Sequence, residues 1–234
     1  MSETRASVRV MTWNIHGAIG RNPRFDLERV AALIKRADPD IIALQEVDSR
    51  RCAGDADTFT RLHELLGVHG IGAKSIMGAD GDYGQLLISR WPIAHSAVHD
   101  ISYPEREPRC AIEAEIDTPA GPLRLVATHL GLSTRERRSQ ARRLLDIAGR
   151  LSVTTLVIGD FNDWFWVGSV QTALAREFPG RTRHRTFPSW WPALRLDRVY
   201  CRPARALVKS RIERDSHHVS DHIAVIAEIR PKAG

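Results

Sequence analysis

Short polar motifs stand at the ends of several apolar, strand-like segments of this sequence. Their side chains are carboxylates, amides and imidazoles, and they are Asn14, Gln45-Glu46, Thr128-His129, Asp160-Phe161-Asn162-Asp163, Asp197 and Ser220-Asp221-His222. A carboxylate at the end of a buried strand loses its hydration unless a partner compensates its charge. One such case is usually a capped turn, whereas a repeated pattern indicates a shared polar cleft. We therefore expect these residues to converge on one site.

The side-chain types in this set favour a hard divalent cation. Carboxylate and amide oxygens suit Mg²⁺ or Mn²⁺, whereas a structural zinc site would use thiolates or clustered histidines. A histidine has an intrinsic pKa suited to removing a proton from water near neutral pH. An aspartate bonded to its other ring nitrogen would hold the imidazole in one tautomer. This combination can activate water for hydrolysis at a metal site, and no G-x-S-x-G motif suggests a covalent intermediate.

Each motif taken alone also has an ordinary structural explanation. Asn14 could be a turn residue, Glu46 a solvated strand end, and His129 a half-buried histidine with its own partner. Asp160 with Asn162 could form a plain Asx turn. Asp197 is harder to explain in this way, because a charge inside an apolar strand needs a partner. Their recurrence at six strand ends favours the functional interpretation.

Short strands are the main elements that must position these motifs. The strand-like runs are residues 8–14, 41–44, 86–88, 110–117, 123–127, 154–158, 194–200, 206–212 and 223–229. Their order lacks the regular strand–helix alternation of a doubly wound sheet. We therefore expect an α/β (α+β) protein with two packed sheets flanked by helices.

Two amphipathic helices are expected between the strands. The first follows Asp26 as its N-cap, and the second runs from Ser133 to about Ala148, with Ser133 and Glu136 at capping-box spacing and Gly149 as its stop. The arginines of the second helix are interpreted as a solvated face. The glycines of residues 70–72 and 78–84 do not match G-x-G-x-x-G, so we expect a flexible loop and no dinucleotide site there.

Length and composition bound the class of protein. A chain of 234 residues suits one domain, over residues 1–234, and we expect a monomer. No apolar run approaches the length of a membrane span, and the polar N-terminus has no signal-peptide pattern, so we expect a cytoplasmic protein. Three cysteines without a C-x-x-C pair are interpreted as buried thiols. A net charge of +6 can serve solubility alone, or it can attract a phosphate-bearing partner: nucleic acid, anionic lipid or a phosphorylated metabolite.

The motifs, in this order, resemble those of the endonuclease/exonuclease/phosphatase superfamily. Its members include DNase I, exonuclease III-like repair endonucleases, bacterial sphingomyelinases and inositol-polyphosphate 5-phosphatases. The matching segments are Thr12-Trp13-Asn14-Ile15-His16-Gly17, Leu44-Gln45-Glu46-Val47-Asp48, Thr128-His129-Leu130, Gly159-Asp160-Phe161-Asn162-Asp163, Leu196-Asp197-Arg198-Val199-Tyr200 and Ser220-Asp221-His222. The resemblance implies a DNase I-like four-layer αββα sandwich of two mixed β-sheets flanked by helices.

The resemblance also implies a metal site and a base. Glu46 is similar to the family's principal ligand for Mg²⁺, which Mn²⁺ could replace. Asn14 and Asp221 stand where neighbouring groups complete that site. His222 matches the general base, and Asp197 matches the carboxylate that orients it.

The remaining motif residues match positions that handle the phosphate and the attacking water. Asp160 and Asn162 match the pair that positions the water and the phosphate. His129 matches a histidine that contacts a phosphate oxygen. Arg109, just before a predicted strand, is similar to an arginine that approaches the phosphate there.

The substrate class stays open between alternatives. The segment Gln45-Glu46-Val47-Asp48 differs from the Gln-Glu-Thr-Lys of the repair endonucleases, and the chain has little room for DNA-wrapping insertions. A phosphodiesterase acting on a lipid head group or small phosphodiester is therefore our first hypothesis. A DNA or RNA endonuclease or exonuclease is the second, and a non-catalytic phosphate-binding module is the third.

Two pairs of tryptophans bear on this choice: Trp164 with Trp166, and Trp190 with Trp191. Both pairs stand next to catalytic motifs, so the resemblance places them on loops at the mouth of the cleft. They could stack on bases, enter a lipid interface, or pack together as an aromatic mini-core under the loops.

Overall fold

Four α-helices and twelve β-strands form within the residues that the computed structural model describes, which are 7–19, 25–50, 57–67, 69–149, 152–164 and 169–231. The helices are α1 (Leu27–Ala37), α2 (Thr58–Leu66), α3 (Thr134–Ala148) and α4 (Ser169–Glu177). The strands are β1 (Val8–Asn14), β2 (Ile41–Asp48), β3 (His69–Gly78), β4 (Gly81–Ser89), β5 (Ile93–Asp100), β6 (Cys110–Thr118), β7 (Gly121–His129), β8 (Thr154–Asp160), β9 (Gly180–Arg181), β10 (Asp197–Arg202), β11 (Leu207–Glu213) and β12 (Ala224–Ile229).

The strands form two six-stranded mixed sheets. The first has the order β11-β12-β1-β2-β4-β3, and the second has the order β5-β6-β7-β8-β10-β9. Each sheet has one parallel pair near its centre, β1 with β2 and β7 with β8. All other pairs are antiparallel.

Three apolar clusters divide the molecule into four layers. The inner cluster, which includes Val10 and Ile158, lies between the two sheets. A second cluster packs α1 and α2 on the outer face of the first sheet, and a third packs α3 and α4 on the outer face of the second. The predicted αββα sandwich is therefore confirmed.

Local sequence explains the central elements. In β1, Val10 faces the other sheet while Met11 and Trp13 face the helices, so both faces are buried and the strand is apolar almost throughout. Asp26 accepts a hydrogen bond from the Arg29 N–H at 2.9 Å, which begins α1. The predicted capping box at Ser133 begins α3. These predictions are confirmed.

The glycine-rich segment that we expected to be a flexible loop is a β-hairpin, so that prediction was wrong. Its strands β3 and β4 pair antiparallel, and Gly70 lies opposite Ile88. Glycines broke the apolar alternation in the sequence, although Ala73 is buried in the inner cluster and Ile71 packs against it. The strand predicted over residues 194–200 begins only at Asp197, because Leu194 instead forms an isolated bridge with Phe187.

Two further predictions from composition are tested in part. Cys110 and Cys201 are free and buried, as expected, while Cys52 lies outside the described residues. Among the described helices, none is both long and apolar enough to cross a membrane.

Gly159 permits a close approach between β7 and β8. Its φ is +144°, and a Cβ built there would lie 1.8 Å from the carbonyl oxygen of Thr128. Gly149 also has a positive φ, +55°, but a Cβ there would meet nothing within 4 Å. Substitutions at these two positions therefore separate the cost of backbone strain, which both carry, from the cost of steric overlap, which only Gly159 carries.

We expect Gly159→Ala to lower the free energy of unfolding well beyond the effect of Gly149→Ala. Gly149→Ala carries only conformational strain, of about 1–3 kcal/mol. Gly159→Ala carries similar strain and must also push the Thr128 backbone away. Urea unfolding of both variants measures the difference, and equal losses would show that the two strands are not held this close.

Candidate active site

The predicted polar residues meet at one edge of the two sheets. Because β1 and β2 are parallel, Asn14 and Glu46 lie at the same end of the first sheet. Because β7 and β8 are parallel, His129 and Asp160 are register partners at the corresponding end of the second. Asp197 opens β10 directly opposite Asp160.

Asn14 links the carboxylates of the two sheets. Its Nδ2 donates to Glu46 Oε1 at 2.8 Å and to Asp160 Oδ2 at 3.0 Å. Its Oδ1 accepts the backbone N–H of His16 at 3.0 Å. Asn14 thus presents its amide nitrogen to the carboxylates, and its role as a metal ligand stays a prediction.

Several of these side chains are positioned by residues with a left-handed backbone conformation. Glu46 lies at a β-bulge between Gln45 and Val47 and has a φ of +55°. Asn162 has a φ of +49° and His16 has a φ of +48°. Side-chain-bearing residues rarely adopt this region, and such strain clusters at functional sites. The bulge takes Glu46 out of the strand alternation and turns it towards the shared edge.

His222 and Asp197 form a buried pair across the two sheets. Nδ1 of His222 lies 2.8 Å from Oδ2 of Asp197, and its Nε2 lies 3.8 Å from Asp160 Oδ2. The ring of Phe187 packs against the imidazole with centroids 4.8 Å apart. Burial alone would lower the pKa of His222, but the carboxylates of Asp197 and Asp160 raise it to about 10. Burial raises the pKa of Asp197.

His129 lies in an electrostatic environment of the opposite kind. Burial and the positive charge of Arg109 lower the pKa of His129 to about 4, so its ring is neutral. Nη1 of Arg109 lies 2.9 Å from Nδ1 of His129. Since a guanidinium can only donate, Nδ1 is the acceptor and Nε2 carries the proton. Nε2 lies 3.6 Å from Asp160 Oδ2, which can accept this proton, and 3.2 Å from Asn162 Nδ2, which is itself a donor, so the N–H faces the carboxylates of the site.

Glu46 and Asp221 meet at His16, a residue to which the sequence reasoning assigned no role. Nδ1 of His16 lies 3.5 Å from Glu46 and 3.6 Å from Asp221. Burial alone would raise the pKa of Glu46, but His16, His129 and Asn14 lower it to about 2. The hydrogen bond to Glu46 raises the pKa of His16. Its position in the first motif, two residues after Asn14, was the available signal.

The structure thus brings every predicted site residue into one connected cluster. Asp160, Asp197 and His222 each offer one ligand atom, and these atoms lie within 4.8 Å of one another. This buried group is a candidate divalent-metal site, flanked by the carboxylates of Glu46 and Asp221. Arg109 and His129 add a positive charge and a neutral donor on one side. Such an arrangement can bind an anionic group against a cation and move a proton to or from an imidazole.

Arg137 was wrongly expected on a solvated helix face. It is fully buried, with its Nε 3.8 Å from Asp163 Oδ1, and it donates to the Leu132 carbonyl. Arg137 therefore ties the start of α3 to the loop that carries Asn162. The other arginines of that face are exposed, as expected, and they are Arg135, Arg138, Arg142 and Arg143.

The tryptophans of the second predicted pair lie in solvent beside the site. Trp190 is 61% exposed and Trp191 is 70% exposed, which excludes a buried mini-core for these two. Ser189 holds their segment against the site, because its N–H donates to the Asp221 carbonyl at 2.6 Å. Trp164 is partly exposed next to Arg137, and Trp166 lies outside the described residues.

This chain belongs to the Endonuclease/Exonuclease/phosphatase family, whose sequence profile it matches over residues 11–222. It is therefore a phosphoesterase of that family with a candidate metal site. It is also 31% identical to the uncharacterized protein YbhP of Escherichia coli K12, over 95% of this chain and 96% of that protein.

Solved structures with low sequence identity share the fold. An endonuclease/exonuclease/phosphatase from Beutenbergia cavernae superposes with a TM-score of 0.79 at 24% identity, over 97% of this chain and 72% of that one. The mannosyl-6-phosphatase Bt3783 of Bacteroides thetaiotaomicron gives a TM-score of 0.72 at 16% identity, over 95% of this chain and 99% of that one.

The two buried histidines should titrate on opposite sides of neutral pH in metal-free protein. We expect His222 to stay protonated at pH 8, because its carboxylate neighbours raise its pKa to about 10. We expect His129 to stay neutral at pH 6, because burial and Arg109 lower its pKa to about 4. Imidazole NMR signals of chelator-treated protein report both states, and Asp197→Asn should lower the pKa of His222 alone. Both rings titrating near the ordinary value of 6.5 would contradict the described pairing.

Proposed function

We propose that this protein is a Mg²⁺-dependent phosphodiesterase that acts on a lipid head group or small phosphodiester, with His222 activating the attacking water. The observation that carries the proposal is the buried Asp197–His222 pair beside Asp160. Nδ1 of His222 lies 2.8 Å from Asp197 Oδ2, and its Nε2 lies 3.8 Å from Asp160 Oδ2. A histidine held through Nδ1 by an aspartate has Nε2 free to accept a proton.

The carboxylates of the site fit a cation. Glu46, Asp160 and Asp221 converge with only histidine, asparagine and serine side chains as partners among the described residues. With the pKa of Glu46 at about 2, this carboxylate is ionised at neutral pH. Because Asp197 and His222 are already joined to each other, we assign the ion to the other carboxylates, with Asn14 beside them. Oxygen donors of this kind favour Mg²⁺ or Mn²⁺.

The residues of the site then have separate roles in hydrolysis. When bound, the cation supplies positive charge that stabilises the phosphoryl oxygens and offsets the carboxylates that raise the pKa of His222. His222 accepts a proton from water at Nε2, and Asp197 stabilises the imidazolium. His129 donates from Nε2 to a phosphoryl oxygen, and Arg109 keeps that tautomer in place. The side-chain amide of Asn162 donates a hydrogen bond near the same phosphoryl oxygen.

The choice of substrate class rests on the motifs and the surface, since fold does not settle it. The exposed Trp190 and Trp191 beside the site and the Gln45-Glu46-Val47-Asp48 segment favour a small or interfacial diester over wrapped duplex DNA. The net charge of +6 supports the second candidate, a nuclease. One solved relative is by name a mannosyl-6-phosphatase, so monoesters belong among the substrates to be tested. A non-catalytic module is the weakest alternative, because the connected acid, amide and imidazole set is intact.

Turnover should require a divalent cation. We expect EDTA to abolish hydrolysis of bis(4-nitrophenyl) phosphate, and Mg²⁺ or Mn²⁺ to restore it, because the converging carboxylates need a cation. Glu46→Gln should weaken metal binding measured by calorimetry while leaving the circular dichroism spectrum unchanged. Plasmid DNA, single-stranded DNA, phospholipid vesicles and 4-nitrophenyl phosphate are assayed beside the diester to rank the substrate classes.

Asp117→Asn is the matched control for Glu46→Gln, because it also converts a carboxylate to an amide but lies exposed on β6. It should bind metal like the unaltered protein. Full turnover in EDTA after exhaustive dialysis would refute metal dependence, and no turnover of any substrate would favour the non-catalytic module.

His222 and Asp197 should act as one unit in hydrolysis. His222→Ala should lower kcat/KM for bis(4-nitrophenyl) phosphate by about 10²–10⁴-fold, the usual effect of losing a general base. Asp197→Asn should lower it by a comparable factor. The double variant should fall well short of the product of the two effects, because Asp197 acts through His222.

His218→Ala provides the control, since His218 is an exposed histidine of the same segment. It should leave kcat/KM unchanged. Fully multiplicative effects of the two active-site substitutions would show that the pair does not work as proposed.

A further inference from the structure

Exposed apolar side chains are concentrated around the edge of the molecule that carries the active site. Of the seven large apolar side chains that are exposed among the described residues, five lie in loops or at a strand end of this edge, and they are Met77, Leu132, Trp164, Trp190 and Trp191. The other two, Val98 and Val208, lie within β5 and β11. Single exposed apolar residues are ordinary, whereas a group of them beside a candidate active site indicates a surface that meets a partner.

The segment of residues 187–194, here called the tryptophan loop, holds two of these side chains beside the proposed base. The loop is closed at its ends, where Phe187 and Leu194 form an antiparallel bridge. The ring of Phe187 packs against the imidazole of His222, with centroids 4.8 Å apart. Trp190 and Trp191 stand in the middle of the loop and are exposed. The loop therefore fixes both indoles next to the active site.

The backbone of the tryptophan loop is suited to a medium that offers no hydrogen bonds. Pro188 and Pro192, on either side of the tryptophans, have no N–H group. The N–H of Trp191 donates to the Pro188 carbonyl at 3.1 Å, and the N–H of Ala193 donates to the Phe187 carbonyl at 2.9 Å. An unpaired polar group is costly in lipid. Because these donors are absent or already bonded, removing the loop from water costs little.

Apolar side chains also lie on the other sides of the active site. Since β4 runs antiparallel to β2, the turn of the β3–β4 hairpin lies at the end of the first sheet that carries Glu46. Ile76 of this hairpin and Glu46 line the same cavity, of about 210 Å³. The next residue, Met77, is 78% exposed. Leu132, three residues after His129, is 59% exposed. The site therefore lies between apolar side chains carried by both sheets.

Arginines flank the tryptophan loop. Arg185 and Arg195 are exposed and stand just outside the bridge that closes the loop. Guanidinium groups form charge-assisted hydrogen bonds with phosphate oxygens, and indoles prefer the boundary between water and hydrocarbon. The two kinds of side chain together match a bilayer that contains anionic phospholipid. Tryptophans could also stack on nucleic-acid bases, but the aliphatic Met77 and Leu132 have no such use, so the combination favours lipid.

We propose that this edge is a lipid-docking surface. Trp190 and Trp191 enter the boundary between head groups and acyl chains, and Arg185 and Arg195 contact anionic head groups. The proposal deepens the proposed function, because it selects the lipid head group among the substrates considered there, and it rests on that function for the phosphodiester that is cleaved. Docking brings head-group phosphates to the end of the sheets that carries His222. The protein then acts on lipids that remain in the surface.

Cosedimentation with vesicles tests the surface. The vesicles contain phosphatidylcholine and phosphatidylglycerol in equal parts, and all variants carry His222→Ala, which prevents turnover in Mg²⁺ buffer. Trp190→Ala/Trp191→Ala should raise the apparent Kd about tenfold or more, because two indoles no longer leave water. Trp190→Phe/Trp191→Phe should stay within about threefold of the background protein, because phenyl rings also enter lipid. An unchanged circular dichroism spectrum shows that the variants fold.

Insertion has an optical signature that attraction by charge alone does not produce. Acyl chains brominated near the head group should quench the tryptophan fluorescence of the background protein and shift its emission to the blue. Trp190→Ala/Trp191→Ala should show little of either change. Cosedimentation without quenching would show that the tryptophans stay in water, and it would overturn the proposed surface.

Two pairs of substitutions serve as controls. Val98→Ala/Val208→Ala removes exposed apolar groups away from the site and should leave the Kd unchanged. Arg185→Gln/Arg195→Gln should raise the Kd about tenfold or more, because each arginine near an anionic surface contributes to binding. Arg205→Gln/Arg230→Gln removes the same charge from exposed positions at the opposite edge and should have little effect. Equal losses in either control and in its matching variant would overturn the surface.

Further measurements separate this surface from nucleic-acid binding and from the proposed function. If a single-stranded oligonucleotide binds through Trp190 and Trp191 while vesicles do not bind, the tryptophans stack on bases and the lipid surface is overturned. Hydrolysis of bis(4-nitrophenyl) phosphate by the unaltered protein needs no lipid, so it tests the proposed function alone. Turnover of that diester without vesicle binding overturns only the surface. Vesicle binding with quenching, but without turnover of any substrate, supports the surface and overturns the proposed function.

Discussion

The packing of one sheet against the other is the constraint on which the rest of this structure depends. Apolar side chains of both sheets form the inner layer, and that layer sets the distance at which the two polar edges face each other. Across this gap, Asn14 of the first sheet donates to Asp160 of the second, at 3.0 Å. The His222–Asp197 contact, at 2.8 Å, makes a second bridge between the sheets. A shift of one sheet would therefore break both bridges together.

Charged neighbours at this edge give two buried histidines different pKa values. His222 and His129 are both buried, and desolvation alone would lower the pKa of each. Carboxylates surround His222 and overcome that effect, whereas Arg109 reinforces it for His129. The site therefore holds one protonated and one neutral imidazole, both beside Asp160. In the proposed mechanism, a bound cation would offset the carboxylates so that His222 can accept a proton, while His129 stays a neutral donor.

Strain and buried polar groups reduce stability where they serve the site. Glu46, Asn162 and His16 adopt left-handed backbone conformations that cost about 1–3 kcal/mol each. Nε and Nη2 of the fully buried Arg137 have no hydrogen-bond partner among the residues that the structure describes. The apolar layers and the capped helices must offset these terms. In return, Arg137 holds the loop that carries Asn162 against the start of α3.

The sequence by itself determined most strands and two helices, because strand periodicity and helix caps are local properties. The order of the motifs along the chain, through the family resemblance, determined the layer architecture and the members of the site. The sequence did not reveal β3, whose glycines conceal its apolar alternation, or the burial of Arg137. The protonation of His129 and His222 and the place of His16 between Glu46 and Asp221 also needed the tertiary structure. Asn14 and Asp160 are 146 positions apart, so only the folded sheets set their distance and mutual orientation. Since charge interactions and desolvation depend on those distances, these properties cannot be obtained from neighbours along the chain.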